Sequence, residues 1–419
     1  MFGRSAFLLS LLSGLATGST VVGQLKTLTL EAALELANRQ HPVLASAAAA
    51  LEGASAGIAS ARAYPNPILS SQSGRQYVRL PGNVPGMVQI LSYQQPLELG
   101  QLRPTRIELA ERTRQVAITE LAAHRLAVLS QVRRTFYQVL RHDREAEILS
   151  ENLKLVEELR RRIQVQVDVG EAARLELVRA DAEIAAARVQ VNRSRLQRVA
   201  ALAAFRGAVG VSLPEDIELI GGPDEAVTLP PLEQLRAQLL REHPALRQAD
   251  ESLRRAEAQL RLEEAQRIPQ PVVRTDLERY PDVPNFRFGI DIPIPLWNRR
   301  EGPIAQAVAG LKQAQAQRRW RELELIAALE GAFQRYRSAH EQVLAFEQGI
   351  LAEAEAALKA AQAAFQLGER GILEVLDAQR LLRGVRLDYV HAIFDRQAAL
   401  VDLDELRAID PLKMRNPSS

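Results

Sequence analysis

Six histidines and a scatter of carboxylates are the residues in this 419-residue chain that could do chemistry. His41 and His243 each precede a proline, in RQHP and REHP, and read as helix-ending residues. His124, His142, His340 and His391 lack the His/Asp/Glu spacing of a closed metal site, so neither a metal site nor a cofactor is expected. Phosphate-loop, H-E-x-x-H and nucleophile-elbow motifs are missing, and the sequence offers no catalytic centre. What remains is electrostatic. Glu374 and Asp377 are three residues apart and share one face of a helix, with Arg370 one turn earlier. In a single chain that is an ordinary solvated face. Only if symmetry repeated it round a narrow mouth would it become rings of carboxylates that attract cations and ease their passage.

The chain that must position these groups is written twice. PLELGQLRP at 96–104 returns as PLWNRREGP at 295–303, so Pro96 and Pro104 correspond to Pro295 and Pro303. RQHP at 39–42 returns as REHP at 241–244, and YPNP at 64–67 as IPQP at 268–271. VGEAARLELVRADAE at 169–183 returns as LGERGILEVLDAQRL at 367–381. The offsets are 295 − 96 = 199, 243 − 41 = 202 and 368 − 170 = 198. An Ala/Leu/Arg-rich background can mimic similarity inside helices, but it does not place prolines and glycines in step. Two structural repeats are expected, 24–210 and 232–408, joined by a Pro/Gly-rich connector over 211–231 and followed by a tail, 409–419.

Composition narrows the class. The formal net charge is +2, so no basic surplus points to nucleic acid. Cysteine is absent, which removes disulfides, thiolate metal sites and a lipid-modified mature N-terminus. Aromatics make up only 5%, while Ala, Leu, Arg, Glu and Gln dominate, the composition of long helices. Residues 1–23 read as a secretory signal, with Arg4 ahead of the apolar run Ser5 to Ala16 and cleavage after Gly18 or Gly23. No later stretch is expected to cross a membrane as a helix, so any spanning must use strands.

Each repeat follows one plan. A short helix (from Leu28 or Leu232) stops at His-Pro, and a second (from Val43 or Ala245) stops at a Pro-x-Pro pair. Strands are expected at about 68–79 and 86–96, then 271–280 and 286–295. Long helices follow at 104–167 and 303–366, each opening on a proline in its first turn. They break at Gly170 and Gly368, and return helices run over 172–206 and 371–406. Leu129, Val132, Phe136, Val139, Ala146, Leu149, Leu153, Val156 and Ile163 keep a coiled-coil spacing. Such a helix is roughly 95 Å long, more than a compact domain needs.

The strands decide the topology. Phe286, Phe288, Ile290, Ile292 and Ile294 alternate with Arg287, Gly289, Asp291 and Pro293, and Val273, Thr275 and Leu277 alternate likewise. That suits a transmembrane β-barrel or a half-buried soluble hairpin; residues 68–79 alternate poorly. Four strands cannot close a membrane barrel, and an open edge cannot sit in lipid. Several chains must then share one barrel. Three would supply twelve strands and gather their helices into a tube. The fold class expected is mainly α with a small β part: long antiparallel helical hairpins forming an α-barrel, plus four strands per chain in a shared barrel.

Over essentially the whole mature chain these features resemble the TolC-like outer-membrane efflux ducts. The carriers are LTLEAALELANRQHP, the PNP before the first strand, QQPLELGQLRPTRIELAE, IPIPLWNRREGPIAQA and FQLGERGILEVLDAQRLL. PLELG and IPIPLWNRREG look most like the heavy-metal, CzcC-like branch. The resemblance implies a homotrimeric, non-catalytic duct in outer-membrane lipid, its helical tube in the periplasm. It would dock on a periplasmic adaptor (a membrane fusion protein) and an inner-membrane proton-driven pump of the RND type. It also implies that Gly170 and Gly368 turn at the periplasmic tip and that Glu374 and Asp377 are inward acidic positions. Glu176 is the first-half counterpart of Glu374 (374 − 198 = 176), and Arg370 matches the family's tip arginine, free to pair with Glu176 or with a neighbour's carboxylate. Many members carry Tyr three residues before the second glycine; here Phe365 leaves the latch without a phenol hydroxyl. A type I secretion exit channel and a soluble periplasmic coiled-coil adaptor are the alternative readings.

Overall fold

A computed structural model describes residues 26–77 and 84–413. The expected signal segment, part of the first strand-connecting loop and the end of the tail lie outside the described residues. In chain order the first half comprises β1 (Thr27–Thr29), α1 (Leu30–Gln40), α2 (Pro42–Arg62), β2 (Ile68–Gln76), β3 (Gly86–Pro96), α3 (Leu102–Asp168) and α4 (Arg174–Val209). The connector holds β4 (Glu218–Ile220). The second half comprises α5 (Leu232–Glu242), α6 (Pro244–Ala265), β5 (Val272–Arg279), β6 (Pro284–Asp291), α7 (Glu301–Ala345), α8 (Leu351–Gln366) and α9 (Ile372–Leu406). The chain divides into two compact units, and each draws segments from both halves.

One unit takes residues 46–123 and 244–324. Its centre is a four-stranded antiparallel sheet of order β2-β3-β5-β6. Directly paired residues lie on one face, so the register sorts the side chains. Leu69, Tyr93, Thr275 and Phe288 form one cross-strand row, and Ser71, Leu91, Leu277 and Phe286 the next. The large apolar members of these rows are all exposed. The opposite face carries Ser92, Asp276 and Arg287 in one row, with ion pairs Arg274–Asp276 at 3.0 Å and Arg287–Glu278 at 2.7 Å. Among the described residues β2 pairs only with β3, and β6 only with β5, which leaves both outer edges open.

The last strand, expected over 286–295, ends at Asp291. Pro293 and Pro295 have no N–H to give a ladder, which ends pairing although the apolar alternation runs on to Ile294. The long helices start at Leu102 and Glu301, two residues before the expected prolines. Pro104 and Pro303 are therefore third in their helices, still among the N–H groups that lack an intrahelical acceptor. Just ahead of each start the backbone turns left-handed, at Gly100 (φ 66°) and at Arg300 (φ 61°). Arg300 tolerates this because its N–H reaches Asn298 Oδ1 at 3.0 Å. Arg103 and Arg106 donate to the carbonyls of Ala61, Arg62 and Ala63 at the end of α2, and Glu98 accepts from Arg106. These bonds fix the strand-to-helix junction that opens at Pro96.

Alanine corrects one expectation. The stretch Leu30–Arg62 is long and apolar enough, by length and composition, to cross a membrane. Its hydropathy comes from small alanines in α2, and the chain breaks at His41–Pro42 within it.

The other unit takes residues up to Ala45, 124–243 and 325 onward. Thr29 caps the start of α1, its hydroxyl accepting from the Ala32 N–H, and His41 caps the end. His41 (φ −66°, ψ 126°) and His243 (φ −66°, ψ 124°) cap α1 and α5 with the same extended geometry that precedes proline. Leu28 lies in β1, not in the first helix. β1 pairs in parallel with β4, two three-residue strands too short to show alternation in sequence. Leu28 and Leu219 point into a core with Leu129, Val132, Phe136, Val139, Leu202 and Phe205. Further along α3, Leu149, Val156 and Ile163 are buried, while Glu145 and Asn152 take buried positions beside Ala146 and Leu153.

The second long helix, expected to run unbroken over 303–366, is interrupted by a π-helical turn, Phe346–Ile350. Gly349 inside it leaves helical geometry, with φ 171° and ψ −40°, and a departure from helix costs least at glycine, a poor helix former. Tyr389 of α9 donates to Glu347 at 3.0 Å, and its ring lies 5.9 Å from that of Phe346.

The connector is held by buried polar bonds. Arg133 of α3 lies 3.1 Å from Asp404 and 3.5 Å from Asp224. Tyr137 donates to Asp224 at 3.0 Å, and burial together with the Asp224 charge pushes that phenol up, which keeps it a donor. Gln397 exchanges two bonds with Asp224, and Tyr336 bonds both backbone groups of Val227.

Candidate functional site

Two glycine turns define the site. After α3, Gly170 is left-handed (φ 84°), Gly170 N–H bonds Val167 O at 3.1 Å and Glu171 N–H bonds Gln166 O at 2.8 Å. After α8, Gly368 is left-handed (φ 73°), Gly368 N–H bonds Phe365 O at 3.1 Å and Glu369 N–H bonds Ala364 O at 3.0 Å. The same helix-ending hydrogen bonds recur at an offset of 198 (368 − 170 and 369 − 171). Both glycines have open space where a Cβ would stand, so backbone conformation rather than crowding requires them.

Glu176 and Glu374 are each the third residue of their helix, in the first turn, where the helix dipole favours a carboxylate. They converge on Gly371: a Cβ there would lie 3.7 Å from Glu374 Oε2 and 4.0 Å from Glu176 Oε1. Arg370 pairs with Glu374 at 3.7 Å, not with Glu176, and both partners are exposed. Asp377, one turn further on, accepts from Arg380 at 3.1 Å. Phe365 is half-buried and packs on a core of Ile163, Ala180, Leu358, Ile372 and Leu376.

Sequence reasoning missed the acid behind these residues. Glu183 of α4 is buried and accepts two bonds from Arg380, at 2.6 and 3.0 Å, and one from Arg383 at 3.4 Å. Burial pushes its carboxyl up, but the bonds and charges of the two arginines outweigh this and hold it below the usual carboxylate range. The signal was available: Glu183 interrupts the Ala180, Ile184, Ala187, Val191 face that α4 buries.

Three histidines hydrogen-bond or stack within the helical unit. His142 Nδ1 and His391 Nε2 each lie 2.9 Å from a Glu145 oxygen, and Arg141 donates to the same carboxylate at 2.8 Å. Burial raises this carboxyl, but bonds from His142 and Arg141 reverse that and bring it to about 2. His340 stacks on Tyr336. Among the described residues no group of three His, Cys, Asp or Glu is arranged to hold a metal ion.

A sheet with one apolar face and two open edges, in a chain otherwise made of long helical hairpins, defines a membrane-channel subunit of mixed strand and helix. The outer membrane efflux protein family matches residues 33–211 and again 235–407, and the protein belongs to that family. It is an outer-membrane efflux channel protein, and the reading as a soluble adaptor falls away. The chain is 27% identical over 383 residues to the cobalt-zinc-cadmium resistance protein CzcC of Cupriavidus metallidurans, covering 90% of each. Among solved structures it is similar to CusC (TM-score 0.76, 18% identity, 97% of this chain and 98% of that one). The outer-membrane channel OprN is similar too (TM-score 0.78, 18% identity, 90% and 89%).

Proposed function

We propose that three copies assemble into one passive duct, the outer-membrane exit of a tripartite efflux system. The observation that carries this is the sheet: its apolar face needs lipid and its two edges need partners, which only further strands can supply. Three copies give 3 × 4 = 12 strands, an even number within the range of membrane barrels. α4 supports the same conclusion. Leu175, Val178, Val189, Leu196 and Val199 keep coiled-coil spacing along a face that stays exposed in the single chain. A neighbouring copy would cover this second seam. The two halves, with glycine turns matched at 198 residues, act as structural repeats whose turns form the tip.

The duct has no catalytic activity. It receives cargo from a periplasmic adaptor and a proton-driven inner-membrane pump. Heavy-metal cations are the cargo supported best, by the likeness to a cobalt-zinc-cadmium resistance protein and by the tip carboxylates. Glu176, Glu374 and Asp377 would line the mouth in each copy, with Arg370 holding it closed. Arg370→Ala is expected to raise leak conductance in planar bilayers, and Glu374→Gln with Asp377→Asn to weaken cation preference. Unchanged conductance in the first removes Arg370 from the gate, and an unchanged reversal potential in the second removes the carboxylates.

A further inference from the structure

We propose that Glu183, clasped by Arg380 and Arg383, is the latch that keeps the tip shut. This rests on the tip being the gate. The two glycine turns end two helical hairpins, α3 with α4 and α8 with α9, and a mouth between such hairpins widens only if they part. Among the described residues, the hydrogen bonds from α9 to the first hairpin that lie nearest the turns are the three at Glu183. The acid is buried, whereas Arg380 is about half exposed, with a side-chain exposure of 48% against 8%. Arg380 also donates to Asp377, so one guanidinium joins the buried acid to a tip carboxylate.

Parting the hairpins strips a buried carboxylate of charge-assisted bonds, which are the strong kind and the costly kind to leave unmade. The latch is also one-sided. The position equivalent to Glu183 in the second half is Leu381 (183 + 198), and that equivalent to Arg380 in the first is Ala182 (380 − 198). No second clasp of this kind is built by the repeat. It supplies a polar hold on α9 that Phe365, half-buried against the apolar core, does not.

The test is the closed-state conductance of the purified full-length protein in planar bilayers. Glu183→Gln, Arg380→Gln, their double variant and Arg370→Ala are compared. Arg380→Gln alters a half-exposed position, so its reading does not depend on folding round a buried change. Each single latch variant is expected to raise conductance roughly fivefold or more, the lower end of typical coupling between two states. The double variant should raise it no further than Glu183→Gln alone, because removing the acid already unmakes the bonds from Arg380. Single effects that multiply in the double variant overturn the latch, since the residues would then act independently. Latch variants without effect beside a leaky Arg370→Ala overturn the latch and leave the gate standing. No effect in any variant overturns the gate reading and the latch with it.

Discussion

Arginine in place of Phe288 or Leu277 is expected to keep the protein out of the outer membrane. Both positions lie on the apolar face of the sheet, in adjacent cross-strand rows with Tyr93 and Leu91. Both are exposed in the single chain, Phe288 at 64% and Leu277 at 53%, so no protein contact within it accounts for their apolarity. A charge facing lipid costs about 2–4 kcal/mol at the bilayer midplane, and an assembly of identical chains repeats that cost in every copy. Gln72→Arg is the matched control: Gln72 pairs with Ile90, in the row of Glu278 and Asn285 on the other face, where water and ion pairs accommodate charge. Density fractionation of the envelope reads the result. The Phe288 and Leu277 variants should be lost from the outer-membrane fraction while the Gln72 variant remains. Equal recovery of all three would mean that the apolar face does not meet lipid.

The second large effect concerns the connector. Asp404→Ala is expected to lower the stability of the helical unit by about 3–5 kcal/mol, because it leaves Arg133 buried with a single, part-exposed acid for company. Arg133 is only 3% exposed and Asp404 5%. Burial pushes the Asp404 carboxyl up against the opposing charge of Arg133, so the pair sits where neither partner is comfortable alone. Replacing both, as Arg133→Met with Asp404→Leu, should recover much of the loss, since a buried pair is often no better than apolar packing of similar volume. Guanidinium unfolding followed by circular dichroism measures the difference. An Asp404→Ala variant as stable as the parent would show that the connector is held instead by its apolar residues, such as Leu219, in the core with Phe136.

Punctuation was the most legible part of the sequence. Prolines and glycines impose backbone geometry directly, so His41–Pro42, His243–Pro244, Gly170 and Gly368 ended their helices where their types require. The seam of α3 was legible because Leu129, Val132, Phe136 and Val139 are large, apolar and regularly spaced. Three features were not. The β1–β4 pair depends on contact between Leu28 and Leu219, far apart in sequence, in strands of three residues. The π-helical turn at Phe346–Ile350 is a local shift of hydrogen bonding that helix-forming residues on either side conceal. The end of β6 is hidden by alternation that runs on to Ile294, although Pro293 and Pro295 lack the N–H groups to continue the ladder. Arg370 and Glu374, exposed charges beside the second glycine turn, were singled out through the family pattern. Glu183, Arg133 and Asp404 were missed because a charge on a buried face declares itself only once its partner on another helix is known.

The mass of the assembly bears most directly on the central claim, that one chain is an incomplete channel. The full-length protein, extracted from the outer membrane in mild detergent, can be weighed by light scattering with the detergent contribution subtracted. Three chains per particle is the expected result, with twelve strands closing the open edges of β2 and β6. A monodisperse single chain that stays in solution without detergent would contradict it.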